Sequence, residues 1–360
     1  MRTPLQQLSH DLARLATHYD ISGEWPERSL ARLTEAGAWA WMVPAAFGGT
    51  ELALVPQLQA YEAVAAGCMS SLLILSQRDG ACELIAGGRN DRLKRELLPR
   101  LAANEMMASV GISQITTSHQ GGKPALTAEP AGDGYCLRGF MPWVTSAEKC
   151  DVIVAGAVLP DGRQVLLVVR TDLRGVQIDR AMNLMALECT RTAEVHCRDV
   201  VVESAWVIAP PAEKALSRTS PVKIWTVVAS GIGLAGTMIE LIGSHTERGN
   251  GALREQAEDL FLRYRAIRER MYKSAEELAE SEENPPITGV RVAVNDLLVR
   301  LAVATLVFAK GSGFIRQRDA QRLVREAMFF LVWSAPEDVR SQTLAGFLDP
   351  PLPESKSLAT

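Results

Sequence analysis

A change of period along the chain constrains its fold more than any other feature. Through about residue 108 the apolar residues fall in Ala- and Leu-rich windows with Gly and Pro turns between them. Leu30, Leu33 and Ala36 and then Leu72, Leu73 and Leu75 carry the helical spacing. From 109 to 212 the pattern becomes short β-branched runs. Residues 152–155 and 165–169 flank Pro160-Asp161-Gly162, a turn in which Pro presets φ and Gly tolerates a positive one. Gly132-Asp133-Gly134 precedes Tyr135-Cys136-Leu137-Arg138 in the same way. Long helices then return: Leu260, Tyr264, Ile267 and Met271 form an apolar stripe opposite Arg and Glu. Asn284-Pro285-Pro286 breaks that helix and residues 290–308 form another. Gly311-Ser312-Gly313 reads as a loop, and residues 320–333 read as the last long helix, halted near Pro336.

The expected fold class is therefore α+β multidomain. An N-terminal helical bundle (1–108) precedes a middle antiparallel β-domain (109–212) and a C-terminal helical bundle (213–348). A mobile tail (349–360) follows, where Asp349-Pro350-Pro351-Leu352-Pro353 cannot continue a helix.

Composition excludes several functions. The formal net charge of −4 gives no reason to expect nucleic acid or an anionic membrane as partner. No apolar run approaches the roughly 20 residues needed to span a bilayer, and residues 1–20 lack a signal-peptide core. The six cysteines show no C-x-x-C spacing, which fits a reduced cytoplasmic protein with buried thiols. The five histidines are scattered, so no metal site is expected.

The stretch from Ser113 to Asp151 carries the candidate site. It reads as two strand edges, the first around Val110-Gly111-Ile112-Ser113 and the second holding Trp143 and Thr145, with a loop and hairpin between. An indole face and two hydroxyls on neighbouring strands suit a flat heteroaromatic ring with polar edges. They also suit an ordinary strand Trp packed in a core.

The order of motifs adds to this. Without a gap, Ser113-Gln114-Ile115 precedes Trp143-Val144-Thr145 at the separation found in the acyl-CoA dehydrogenase family, where a Thr-Glu-Pro and a Trp-Ile-Thr segment hold the flavin of FAD. Gly37 to Pro44, Phe47-Gly48-Gly49 and Leu98-Pro99-Arg100-Leu101-Ala102 resemble parts of that family's first helical domain. Thr190 to Val195 and Val200-Val201-Val202 resemble the closing strands of its β-domain. The resemblance covers nearly the whole chain. It implies an FAD-dependent oxidoreductase acting on an acyl thioester such as an acyl-CoA, assembled as a homodimer or homotetramer with flavin at the subunit interface. The implied cofactor-binding residues are Ile112, Ser113, Trp143, Thr145 and Arg248. Arg248 suits a pyrophosphate and suits equally a cap at the end of its helix.

Several family features have drifted. The family's reaction removes a proton α to a thioester carbonyl, usually with a Glu that follows an Arg-Asp-Ala triplet. Here Arg325-Glu326-Ala327 matches the triplet, and the base position holds Ser334. Loss of general-base help typically costs about 10²–10⁴-fold. Glu240 and Glu247 lie on the helix where some relatives place the base, and Glu337 follows Ser334 by three residues. Gln114 replaces the Glu of Thr-Glu-Pro, His119 stands where a Ser is expected, and Arg248-Gly249-Asn250-Gly251 is a reduced Arg-x-x-Phe-Gly. Three readings stay open: a dehydrogenase with a relocated base, a flavin-dependent monooxygenase of the same fold, and an inactive scaffold.

Overall fold

The computed structural model describes residues 2–116, 122–216, 222–247, 253–280 and 287–348. Five helices come first: α1 (Pro4–Ser22), α2 (Glu27–Glu35), α3 (Leu54–Gly67), α4 (Met69–Ala86) and α5 (Asp91–Ala102). Thr3 and Gln6 form a reciprocal capping box at the start of α1, and Gly23 closes it in the left-handed region at φ 64°. Residues 91–96 form the solvated first turns of α5, with Leu93 turned inward.

Eight strands follow: β1 (Ala108–Gly111), β2 (Leu126–Ala131), β3 (Gly134–Val144), β4 (Val152–Val158), β5 (Gln164–Arg170), β6 (Val176–Ile178), β7 (Ala193–Val202) and β8 (Val207–Ala212). They form one sheet in the order β6-β7-β3-β2-β4-β5-β8, with β1 paired to β4. The sheet is mainly antiparallel, but β1 runs parallel to β4 and β2 meets β4 in parallel at Thr127 and Val158. β4 and β5 are covered on both faces. Ile153, Ala155, Val165 and Leu167 enter the sheet's own core, whereas Val152, Val154, Leu166 and Val168 meet α4 and α5 residues such as Ile85 and Leu97. A strand's two faces alternate residue by residue, so burial of both gives the continuous apolar runs seen in the sequence.

The last segment holds α6 (Val222–Glu247), α7 (Arg254–Glu280), α8 (Thr288–Ala309), α9 (Asp319–Phe329) and α10 (Glu337–Leu348). It corrects two expectations. Residues 311–313 lie in a short 3-10 helix, Lys310–Phe314. The helix expected over 320–333 ends at Phe329, and a further helix, α10, starts just past Pro336. The tail 349–360 lies outside the described residues.

Both helical segments share one core, from Leu12, Leu58 and Leu72 to Trp225, Leu298 and Phe330. α3 and α6 approach so closely that a Cβ on Gly233 would stand 2.2 Å from the carbonyl oxygen of Glu62. α6 and α8 are long and apolar enough to cross a membrane by length and composition, which the sequence reading did not anticipate. Two thirds of the apolar window of α6 is buried inside the fold, where it serves as the central core helix.

Candidate functional site

β1 ends at Gly111 and leads through Ile112 into a 3-10 turn, Ser113–Ile115, so Ser113, expected on the strand edge, lies two residues beyond it. Gln114 fixes the turn. Its buried Nε2 donates to the carbonyls of Gly111 and Gly156, each at 2.7 Å, tying the turn to β1 and β4. Gly156 leaves room for Ile115, whose Cδ1 would lie 2.3 Å from an added Cβ. Gln114 is thus a strut of the scaffold. Ser113 is half-buried, and its Oγ, shielded from solvent, has no hydrogen-bond partner in the protein.

The neighbouring strand arrives at the same place. Gly111 packs against Met141, where an added Cβ would stand 2.4 Å from Sδ, so Ile112 and Ser113 meet β3 just before Trp143. Met141, Pro142 and Val144 are buried, whereas Trp143 is 50% exposed. A large indole left open between three buried neighbours presents a face rather than filling a core.

Thr145, one residue past the end of β3, is 7% exposed. Its Oγ1 accepts from Thr192 Oγ1 at 3.4 Å, and Thr192 shares a hydrogen bond of 2.9 Å with Thr190. Ser146 turns the chain at φ 61° and its N–H donates to the Thr190 carbonyl at 2.9 Å. The buried Ser146 Oγ is also without a protein partner. Glu148 and Arg191 clasp the outside of this turn at 2.6 Å, and that hydrogen bond holds the Glu148 carboxyl below its usual range. Sequence reading found Thr145 but missed Ser146, Thr190 and Thr192. The Thr-x-Thr spacing was visible, but its contact with residue 145 was not. Arg248 and His119 lie outside the described residues.

The residues considered for proton transfer do not gather at one place. Ser334 is exposed in the turn between α9 and α10 at φ 45°, and among the described residues its side chain makes no hydrogen bond. That turn is held from beneath by buried Arg291 on α8, whose Nη2 donates to the carbonyls of Phe330 and Trp333 at 2.7 and 3.0 Å. Burial pushes the Arg291 pKa down to about 10, which leaves it charged at neutral pH. The expected triplet is structural. Arg325 binds Asp20 and Gln321, and buried Glu326 pairs with Arg322 at 3.0 Å.

Glu240 and Glu247 are exposed on α6. α6 meets the end of α9 at Gly231, where an added Cβ would stand 3.3 Å from the Phe330 ring. At about 1.5 Å per residue, Glu240 lies roughly 13 Å and Glu247 roughly 24 Å farther along the helix axis. Neither serves the Ser334 position. Glu337 is the exposed first residue of α10.

Other chemistry is sparse. The six cysteines are free and all but Cys136 are buried; burial pushes Cys82, Cys189 and Cys197 up to about 12, so these thiols are unreactive. Asp179, Glu194 and His196 gather at the β6–β7 edge, where His196 Nε2 lies 3.1 Å from Asp179 and 3.6 Å from Glu194. An imidazole already engaged by carboxylates needs no ion to account for it.

Comparison with known proteins agrees with this architecture. Residues 6–105 match the family "Acyl-CoA dehydrogenase, N-terminal domain". The probable acyl-CoA dehydrogenase YngJ of Bacillus subtilis is 22% identical over 357 residues, covering 93% of each chain. A glutaryl-coenzyme A dehydrogenase, solved as its glutaryl-CoA complex, superposes with a TM-score of 0.81 at 18% identity, covering 97% of this chain and 96% of that one. PigA, solved with FAD and proline, gives 0.82 at 15% identity over 96% of each. Taken with the helix–sheet–helix order and the motifs on β1 and β3, these matches show an acyl-CoA dehydrogenase N-terminal domain at residues 6–105 and the acyl-CoA dehydrogenase fold along nearly the whole chain.

Proposed function

We propose that this protein binds FAD with the ring end against Trp143, Ser113 and Thr145, and oxidises a small acyl thioester such as an acyl-CoA. The observation that carries the reading is Trp143, half exposed on a strand whose neighbouring residues are buried, beside a shielded Ser113 hydroxyl with no protein partner. A shielded orphan hydroxyl is costly unless a ligand atom meets it. These residues fit a planar ring with polar edges. When bound, the flavin supplies a two-electron acceptor for hydride. The chain's own part is to stack the ring on the indole, orient its edge through Ser113 and the Thr145–Thr192 hydroxyls, and keep water from that face. The glutaryl-CoA complex of a structural neighbour supports a thioester substrate. A homodimer or homotetramer in a reducing, cytoplasmic setting completes the proposal.

The state of Ser334 favours a second reading. An exposed hydroxyl with no adjacent acceptor cannot act as a base near neutral pH. Flavin monooxygenation of the same substrate class needs no α-proton base, whereas dehydrogenation would need one elsewhere.

Purified protein is expected to be yellow and to keep a flavin absorption band after desalting. Trp143→Ala should weaken FAD at least about tenfold, in line with about 1–3 kcal/mol for an aromatic stacking partner. Colourless protein that cannot be reconstituted with FAD would leave an inactive scaffold as the reading. In flavin-loaded protein, anaerobic bleaching by an acyl-CoA marks dehydrogenation; turnover that consumes oxygen and an external reductant marks oxygenation.

A further inference from the structure

A second recess lies where α3, α4 and α6 meet the loop at Met42. It is a cavity of about 20 Å³ walled by Gln57, Tyr61, Ser76, Asp79, Glu83 and Thr226. That space admits one water-sized group. Gly80, also on its wall, packs toward the sheet: an added Cβ would stand 3.7 Å from Val110 Cγ1, two residues before Ile112. The recess therefore adjoins β1, the strand that leads into the Ser113 turn.

Its wall is polar and specifically incomplete. Tyr61 donates to Asp79 Oδ2 at 2.6 Å, Arg78 Nη1 donates to Oδ1 at 2.9 Å, and Ser76 Oγ donates to the Leu73 carbonyl at 2.9 Å. Gln57 is 3% exposed, and its buried Nε2 has no partner. The site thus offers an unused amide donor beside a carboxylate that retains acceptor capacity, since each carboxylate oxygen has more than one lone pair. An alkyl end would leave the Gln57 amide unmet. An ammonium can donate but not accept, a carboxylate would face Asp79 and Glu83, and an amide exceeds the space.

A hydroxyl satisfies both sides, and we propose that this cavity receives the hydroxyl of a short hydroxyacyl thioester, accepting from Gln57 and donating to Asp79. The inference rests on the flavoprotein reading above, which requires the α- and β-carbons to stay free for oxidation. The hydroxyl therefore belongs on C4 or beyond.

The test is calorimetric titration of the purified full chain with 4-hydroxybutyryl-CoA, butyryl-CoA and succinyl-CoA. The hydroxy ester should bind at least about tenfold tighter than either of the others, the scale of one or two buried hydrogen bonds. Gln57→Leu should abolish that preference, as should Gln57→Glu, which replaces the donor by an acceptor; melting curves check that each variant folds. Equal or weaker binding of the hydroxy ester, no binding of any ester, or a preference surviving in both variants would overturn the inference, leaving a structural water only. The flavin band is read separately. Preference in colourless protein overturns the flavin reading alone, and flavin-loaded protein without preference overturns this one alone.

Discussion

Ser334 shows how much one side chain can decide. In the gap-free register it stands at the family's base position, exposed and in the left-handed region at φ 45°. Ser334→Glu should raise the rate of anaerobic flavin bleaching by an acyl-CoA at least about 100-fold, the lower part of the range for general-base catalysis. Since the position is exposed, stability should change by less than about 1 kcal/mol. Stopped-flow absorbance on flavin-loaded protein reads the rate; no change there would mean that the register or the substrate class is wrong. The serine itself was legible from residue counting. Trp143 and Thr145 were legible too, because a strand end and its side chains are local properties. Gln114 was not: it reads as an altered cofactor contact, yet its Nε2 is taken by the Gly111 carbonyl and by that of Gly156, 42 residues away. No local pattern encodes that pairing. The Gln57 cavity was invisible for the same reason, being assembled from three helices and a loop.

At the scale of elements, α9 and α10 show both a missed signal and a real limit. Glu337 and Asp338 directly after Pro336 are a helix start that the sequence displays, since acidic residues favour a first turn. The end of α9 at Phe329 is different, because the following turn is held by Arg291 from another helix. α9 also carries the buried pair Arg322–Glu326. Burial raises the Glu326 pKa despite the attraction of Arg322, so its desolvation outweighs the pairing. A carboxyl raised in the fold contributes stability that is complete below its unfolded value near 4.5 and is lost as pH rises through its folded value. Arg322→Leu alone should therefore cost about 3–5 kcal/mol at neutral pH, by stranding a buried carboxylate. The loss should shrink as the pH is lowered from neutral, because protonation of Glu326 removes the charge. The double variant Arg322→Leu/Glu326→Leu should recover most of it. Urea unfolding at neutral and at lower pH measures all three; a single-variant loss independent of pH would mean that Glu326 is not the stranded charge.

The whole molecule leaves an apolar surface on its C-terminal helices. Val303 and Val307, one turn apart on α8, are 61% and 51% exposed, and Phe314 just beyond is 76% exposed. Leu344 and Leu348 repeat that spacing on α10, at 58% and 70%. α8 is buried on its other side in the shared core, so these side chains are surplus to the fold of one chain. Apolar surface concentrated in this way marks an interaction face, and a second copy of the chain is the proposed occupant. A net charge of −4 over 360 residues puts little repulsion in the way of self-association. Specific dimers bury about 1,200–2,000 Å² in total, so a charge at the centre of such a face is severely disruptive. Val303→Asp combined with Phe314→Asp should shift the sedimenting species from dimer or tetramer to monomer. Because the family resemblance implies a flavin at the subunit interface, that monomer should also retain several-fold less FAD after desalting while keeping its circular-dichroism spectrum. Wild-type protein that sediments as a monomer, or a double variant that sediments unchanged, would show that this face is not the subunit contact. A clean monomer with undiminished flavin would show instead that one chain completes the site by itself.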